Sequence, residues 1–293
     1  MTHFTTGGPK TPAPESLGLS AKLRVLCFGV SMPKPVNASS PGDFGMSFKV
    51  ILLNEENPPL ELWWVKNETS RGTVLLFPGY ATPKDSLLPA AKVFTELGYS
   101  CLLLDFRGAG GSGGMATSIG YHEANDVTRA VRYALAQHLP GPLILYAGSM
   151  GAAAVLRSIS LGEIAPSALI LECPFDRLST TVKHRFEAMG VPTFPLADVL
   201  LFWGGIQSGF NAFTHNPFQY ARAVRCPVLL MHGEADPRVT LYEVRRVYDS
   251  IPGQKQLQLF PGLGHELYVT ASPQEWRNAV EQFLSAFDVK DTK

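Results

Sequence analysis

A serine set among small residues at the end of a short apolar run is where chemistry can first be sought in this chain. Leu143-Ile144-Leu145-Tyr146-Ala147 reads as a fully buried strand. Gly148, Ser149, Met150 and Gly151 then turn sharply, and Ala152 to Leu156 begin a strong helix former. A hydroxyl is a poor nucleophile until a base takes its proton, so Ser149 needs a histidine that a carboxylate holds in place. The stretch MHGEADPRV supplies Asp236 directly after a buried strand, and FPGLGHEL supplies His265 in a glycine-rich loop after the next one. Glu234 competes with Asp236, which is preferred because it lies deeper in its loop, and Asp176 is a weaker rival. His122, His184, His215 and His232 lack a matching context and read as structural or exposed. An ordinary glycine-rich turn would share the local pattern around Ser149. Three residue types, each at a strand end, are more specific than that pattern alone.

The neighbours of the serine have a physical task. Strand and helix pass closely, so side chains larger than those of Ala147 and Gly151 would collide. Unpaired N–H groups at the helix N-terminus favour a developing oxyanion. A tetrahedral intermediate needs two such donors, and the backbone N–H groups of Met150 and of Tyr80, in the loop after TVLLF, are placed to supply them.

The elements that must position these residues follow from the hydrophobic pattern. Eight strand-like runs are predicted, in residues 47–54, 60–67, 73–77, 99–106, 143–147, 167–173, 226–233 and 254–260. Helices are predicted at 86–97, 119–138, after Ser149, and at about 273–287. Trp63 and Trp64 are expected in the core or on a sheet face. Buried strands alternating with helices argue for an α/β protein whose mostly parallel sheet is covered on both faces. Between Cys173 and Cys226 about fifty residues break the alternation, long for a connection without structure of its own. That stretch is rich in aromatics and has helical patterns at 177–189 and 195–203. It is expected to form a helical cap over the C-terminal strand edge, spanning about 176–222, where ligands of open α/β sheets bind. Most of the aromatics should seal cap against core and a few should line a pocket.

Composition narrows the function classes. With 25 basic and 25 acidic residues in 293 the chain has no net charge, which points away from nucleic acid and from an anionic membrane surface. Cys27, Cys101, Cys173 and Cys226 are scattered and read as buried free thiols of a reducing compartment. No Cys-x-x-Cys or His-x-x-x-His spacing indicates a metal site. Residues 1–44 are expected to be a tail plus a short apolar segment, with 45–293 as the main domain. The tail has no signal-peptide core. The segment AKLRVLCFGVSM falls short of the roughly 20 residues that span a bilayer, so packing on the domain is expected, membrane contact being the alternative. A cytoplasmic protein is the expectation; oligomeric state is open.

These motifs resemble the α/β-hydrolase superfamily over about residues 45–288, in particular its esterase, lipase and serine-aminopeptidase types. The Ala147-x-Ser149-x-Gly151 turn resembles the nucleophile elbow, with alanine for the first glycine. LLFPGYA resembles the family's His-Gly oxyanion segment, with Pro78 where histidine is common. DFRGAGGSGG resembles the Asp-x-Arg-Gly-x-Gly-x-Ser loop, which makes Asp105, Arg107, Gly108, Gly110 and Ser112 scaffolding. The N-terminal region also resembles bacterial relatives in which a membrane helix precedes the domain, truncated here. The resemblance implies a Ser149–Asp236–His265 triad in the family's chain order, an oxyanion hole at Tyr80 and Met150, no cofactor, and a small-molecule ester or acyl substrate. A carboxylesterase is the first expectation, because the cap is apolar and has no strong charge cluster. The alternatives are a peptidase or thioesterase on the same residues, or a non-catalytic binding protein of the same fold. Dehalogenase chemistry would want aspartate in place of Ser149.

Overall fold

The computed structural model describes residues 2–6 and 29–288; most of the apolar segment at 21–32 lies outside them. Five apolar runs form the middle of one large sheet: β5 (Thr73–Phe77), β6 (Ser100–Leu104), β8 (Leu143–Gly148), β9 (Ala168–Glu172) and β10 (Val228–Gly233). They are continuous rather than alternating because both faces are covered. Leu75, Leu145, Leu171 and Leu230 point into one core, and Leu76, Tyr146, Ile170 and Met231 into the other. The edges are β11 (Lys255–Phe260) on one side, and β4 (Leu60–Val65) then β3 (Lys49–Leu53) on the other. Sheet order is β11-β10-β9-β8-β5-β6-β4-β3, eight strands as expected. β5, β6, β8, β9, β10 and β11 pair in parallel, and β3–β4 and β4–β6 pair antiparallel.

Strand order decides where a site can form. From β5 the chain goes to β6 on one side, then returns to place β8 on the other side of β5. The connections leaving β5 and β8 diverge onto opposite faces, which opens a crevice beyond their C-terminal ends. One face carries α1 (Leu88–Glu96) and α9 (Pro273–Asp288), whose Phe94 and Trp276 pack edge to face at 5.6 Å. The other carries α2 (Glu123–Ala136), α3 (Met150–Ser160) and α7 (Leu241–Ser250). Between β9 and β10 lie α4 (Leu178–Ala188), α5 (Leu196–Ser208) and α6 (Pro217–Tyr220). Phe175, Phe186 and Phe218 of this insertion are buried, whereas Phe194, Phe202 and Phe213 are exposed, so its aromatics divide between sealing and surface. A short helix, α8 (Tyr268–Ala271), precedes α9. No helix among the described residues is long and apolar enough to cross a membrane.

The structure departs from the sequence-based expectations in two places. The helix expected from Ile119 begins at Glu123, because the preceding turn folds onto the Glu123 side chain. That carboxylate accepts the N–H groups of Ser118 and Gly120 at 2.9 Å and the hydroxyls of Thr117 and Ser118 at 2.8 and 2.5 Å. Residues 2–5, expected to be a structureless tail, form β1 (Thr2–Thr5), which pairs with β2 (Val30–Pro33) and β7 (Ala116–Thr117). Phe4 anchors this small sheet by burial.

Candidate active site

β8 delivers Ser149 into an uncommon conformation, φ 49° and ψ −112°, immediately before α3. The backbone N–H of Ser149 donates to the Glu172 carbonyl at 2.8 Å, tying the turn to the end of β9. Gly151 must be glycine: a Cβ there would lie 2.6 Å from the Pro78 carbonyl oxygen and 2.7 Å from that of Phe77. Ala147 is fully buried, as its size requires. The loop after β5 runs directly beside the serine, since a Cβ on Gly79 would sit 3.9 Å from the Ser149 Cβ.

That loop is held from below. Lys84, fully buried, pairs with Asp105 and at 2.6 Å with Glu61, and its backbone N–H donates to Asp105 at 2.7 Å. Arg107 donates to Asp126 through Nη2 at 2.6 Å and through its backbone N–H at 3.1 Å. Asp105 and Arg107 thus serve as scaffolding, as the loop motif implied. The Tyr80 hydroxyl bonds to Thr2 Oγ1 of β1, and the Arg185 guanidinium of α4 lies 5.1 Å from the Tyr80 ring centre.

Asp236 and His265 come from the loops after β10 and β11. Asp236 Oδ1 accepts the N–H groups of Arg238 and Val239 at 2.7 and 3.0 Å, which aims Oδ2 at His265. His265 Nδ1 lies 2.7 Å from Asp236 Oδ2, and Nε2 lies 3.1 Å from Ser149 Oγ. A carboxylate at Nδ1 calls for the ring proton there, which leaves the Nε2 lone pair facing the hydroxyl. Burial pushes the Asp236 carboxyl up, but the hydrogen bonds from His265, Val239 and Arg238 outweigh it and hold the group below its ordinary value. The Asp236 side chain therefore stays ionised beside the imidazole.

The structure brings together the residues that sequence singled out and sets their rivals aside. Glu234 is exposed. Asp176 is buried and pairs with Arg246 at 3.1 Å. His122 bonds the Ser208 carbonyl at 2.7 Å, His184 lies 3.4 Å from Glu243, and His215 bonds the Ile119 carbonyl at 2.9 Å. His232 is buried, with neither ring nitrogen bonded among the described residues. Sequence reasoning missed the clamp between the two loops. The Gly233 N–H donates to the Tyr268 hydroxyl at 2.8 Å, which donates to the Gly264 carbonyl at 3.2 Å, while the Ala235 N–H donates to the Leu263 carbonyl at 2.9 Å. It also missed Cys173, whose Sγ lies 3.9 Å from His265 Nε2. No local pattern signals either, because both depend on adjacency of strands distant in sequence.

Sheet order, the strand-to-helix serine turn and the loops converging on it define an α/β hydrolase. Residues 68–201 match the family model described as serine aminopeptidase, S33. A Bacillus subtilis protein, named uncharacterized protein YqkD, is 26% identical over 215 residues, covering 72% of this chain and 70% of its own length. The lysophosphatidylserine lipase ABHD12 of Macaca fascicularis is 27% identical over 257 residues, covering 79% of this chain, which spans 63% of the lipase. The Pyrococcus furiosus esterase Pf2001 superposes with a TM-score of 0.72 at 24% identity, over 87% of this chain and 96% of the esterase. The chain has the α/β-hydrolase fold and is similar to esterases and lipases of that superfamily.

Proposed function

We propose that the protein is a serine hydrolase that cleaves carboxylic esters through an acyl-enzyme intermediate. The observation that carries this reading is the continuous relay from Asp236 through His265, 2.7 Å, to Ser149, 3.1 Å. His265 Nε2 takes the Ser149 proton as Oγ attacks the ester carbonyl, and Asp236 stabilises the imidazolium that forms. The tetrahedral oxyanion accepts hydrogen bonds from the backbone N–H groups of Met150 and Tyr80. Met150 N–H is one of the first-turn donors of α3 that has no partner within the helix. His265 then protonates the departing alcohol and later activates the water that releases the acyl group. Residues 176–222 act as a cap on the main domain, and their apolar side chains favour small or medium acyl groups over charged ones. The thiols of Cys101, Cys173 and Cys226, all free, fit a cytoplasmic setting.

The family model's description favours a second reading, an aminopeptidase on the same residues. Such a site needs acidic groups for the substrate amine, and the insertion offers only Asp176, already paired with Arg246, and Glu187 and Asp198, neither of them buried. The test is labelling by a fluorophosphonate probe together with hydrolysis of p-nitrophenyl, lysophospholipid, thioester and aminoacyl substrates. Labelling lost in Ser149→Ala, with esters turned over fastest, is expected. An intact protein that ignores the probe and every ester sinks the proposal.

A further inference from the structure

Cys173 follows β9 with φ 38°, an uncommon conformation for a residue with a side chain, and its thiol is buried against the face of His265 that meets Ser149. Among the described residues, donor atoms of Cys173, Asp236 and His265 lie within 4.8 Å of one another. Asp236 is not free to coordinate, since Oδ2 holds His265 Nδ1 at 2.7 Å and Oδ1 accepts two backbone N–H groups. A carboxylate on one imidazole nitrogen is, however, what orients the other toward zinc in metalloproteins.

The remaining donors are already spaced for one ion. Zn–S of about 2.3 Å and Zn–N of about 2.1 Å at a tetrahedral angle put sulfur and nitrogen about 3.6 Å apart. Cys173 Sγ and His265 Nε2 are 3.9 Å apart, so a shift of about 0.3 Å suffices. A zinc-bound oxygen would stand about 3.4 Å from the nitrogen. Ser149 Oγ is 3.1 Å from it. Ser149 and His265 are both partly exposed, which gives an ion a way in. A thiolate–imidazole pair selects thiophilic cations over Mg²⁺ or Ca²⁺.

We propose that Cys173 and His265, with Ser149 as a third ligand and water as the fourth, form a site for a thiophilic divalent cation, Zn²⁺ above all, and that its occupation reversibly blocks the hydrolase. The blocking consequence rests on the function proposed above; the metal site does not. On binding, Cys173 loses its S–H proton to solvent, Zn–S and Zn–N bonds form, and the Ser149 hydroxyl exchanges its hydrogen bond to Nε2 for the metal. No electron changes hands.

The experiment titrates ZnCl₂ into the full-length chain, stripped with a chelator, and follows heat and p-nitrophenyl ester hydrolysis in parallel. Co²⁺ replaces Zn²⁺ in a third arm to read thiolate coordination by absorbance. One ion per chain beyond the background of Cys173→Ala and Cys173→Ser is expected, with a thiolate–cobalt band only in the wild type. Ester hydrolysis should fall at least tenfold with Zn²⁺ and return with EDTA, while each variant, measured against its own metal-free rate, resists the metal. Equal uptake by wild type and variants, or no uptake by the wild type, overturns the proposal. Cys173-dependent uptake by a protein that hydrolyses no ester keeps the metal site and rejects the hydrolase reading instead.

Discussion

Replacing Gly233 by alanine should separate the two loops that hold Asp236 and His265. A Cβ on Gly233 would stand 2.4 Å from the Leu263 carbonyl oxygen and 2.5 Å from that of Gly264. Both obstacles are backbone, so the loop must retreat by about 1 Å to reach ordinary contact. His265 follows Gly264 directly and moves with it. The 3.1 Å separation of Nε2 from Ser149 Oγ then opens toward 4 Å, beyond hydrogen-bond range. A misplacement of about 1 Å in a catalytic group costs roughly 100-fold in rate. Overpacking should take about 1–3 kcal/mol from stability, leaving a folded protein to assay. Steady-state hydrolysis of a p-nitrophenyl ester beside urea unfolding measures both. Tyr268→Phe tests the same clamp without a clash, because it removes only the hydroxyl joining Gly233 N–H to the Gly264 carbonyl. A Gly233→Ala protein that is folded and within threefold of wild-type kcat/KM refutes the reasoning, whatever Tyr268→Phe does.

Two further outcomes follow from the geometry around the serine. Asp236→Asn keeps the geometry but no longer demands the proton on Nδ1, so kcat should fall by about 10⁴ with KM little changed; a loss below tenfold, read by the same ester assay, would take Asp236 out of the mechanism. Glu172, buried behind the serine turn, accepts the Trp276 indole N–H at 2.6 Å, and burial raises its carboxyl to about 7 against that hydrogen bond and one from Tyr146. The folded state therefore keeps a proton that the unfolded chain loses near its ordinary value of 4.5, and Glu172 costs stability as pH rises from there to about 7. Glu172→Gln does not titrate, so its stability relative to wild type should rise across that window by an amount on the order of 3 kcal/mol. Urea unfolding at pH 4.5 and pH 8 measures the difference, and a pH-independent difference refutes the assignment.

The amino-acid sequence by itself determined the layered architecture, because burial on two faces writes continuous apolar runs such as TVLLF and LILYA that no tertiary contact is needed to read. It also marked Ser149, Asp236 and His265, since each sits where an apolar run gives way to turn residues. The tertiary structure alone decided what stands beside what. His265 and Ser149 are 116 positions apart, His265 and Cys173 are 92 apart, and Thr2 meets Tyr80 across 78. Periodicity carries information over a few turns of helix or one strand, whereas the first two of these meetings follow from the order β11-β10-β9-β8-β5 and the third from the separate sheet β2-β1-β7. That order sets the ends of β8, β9, β10 and β11 side by side. It thereby packs Gly233 against the loop that carries His265 and places a thiol against the imidazole.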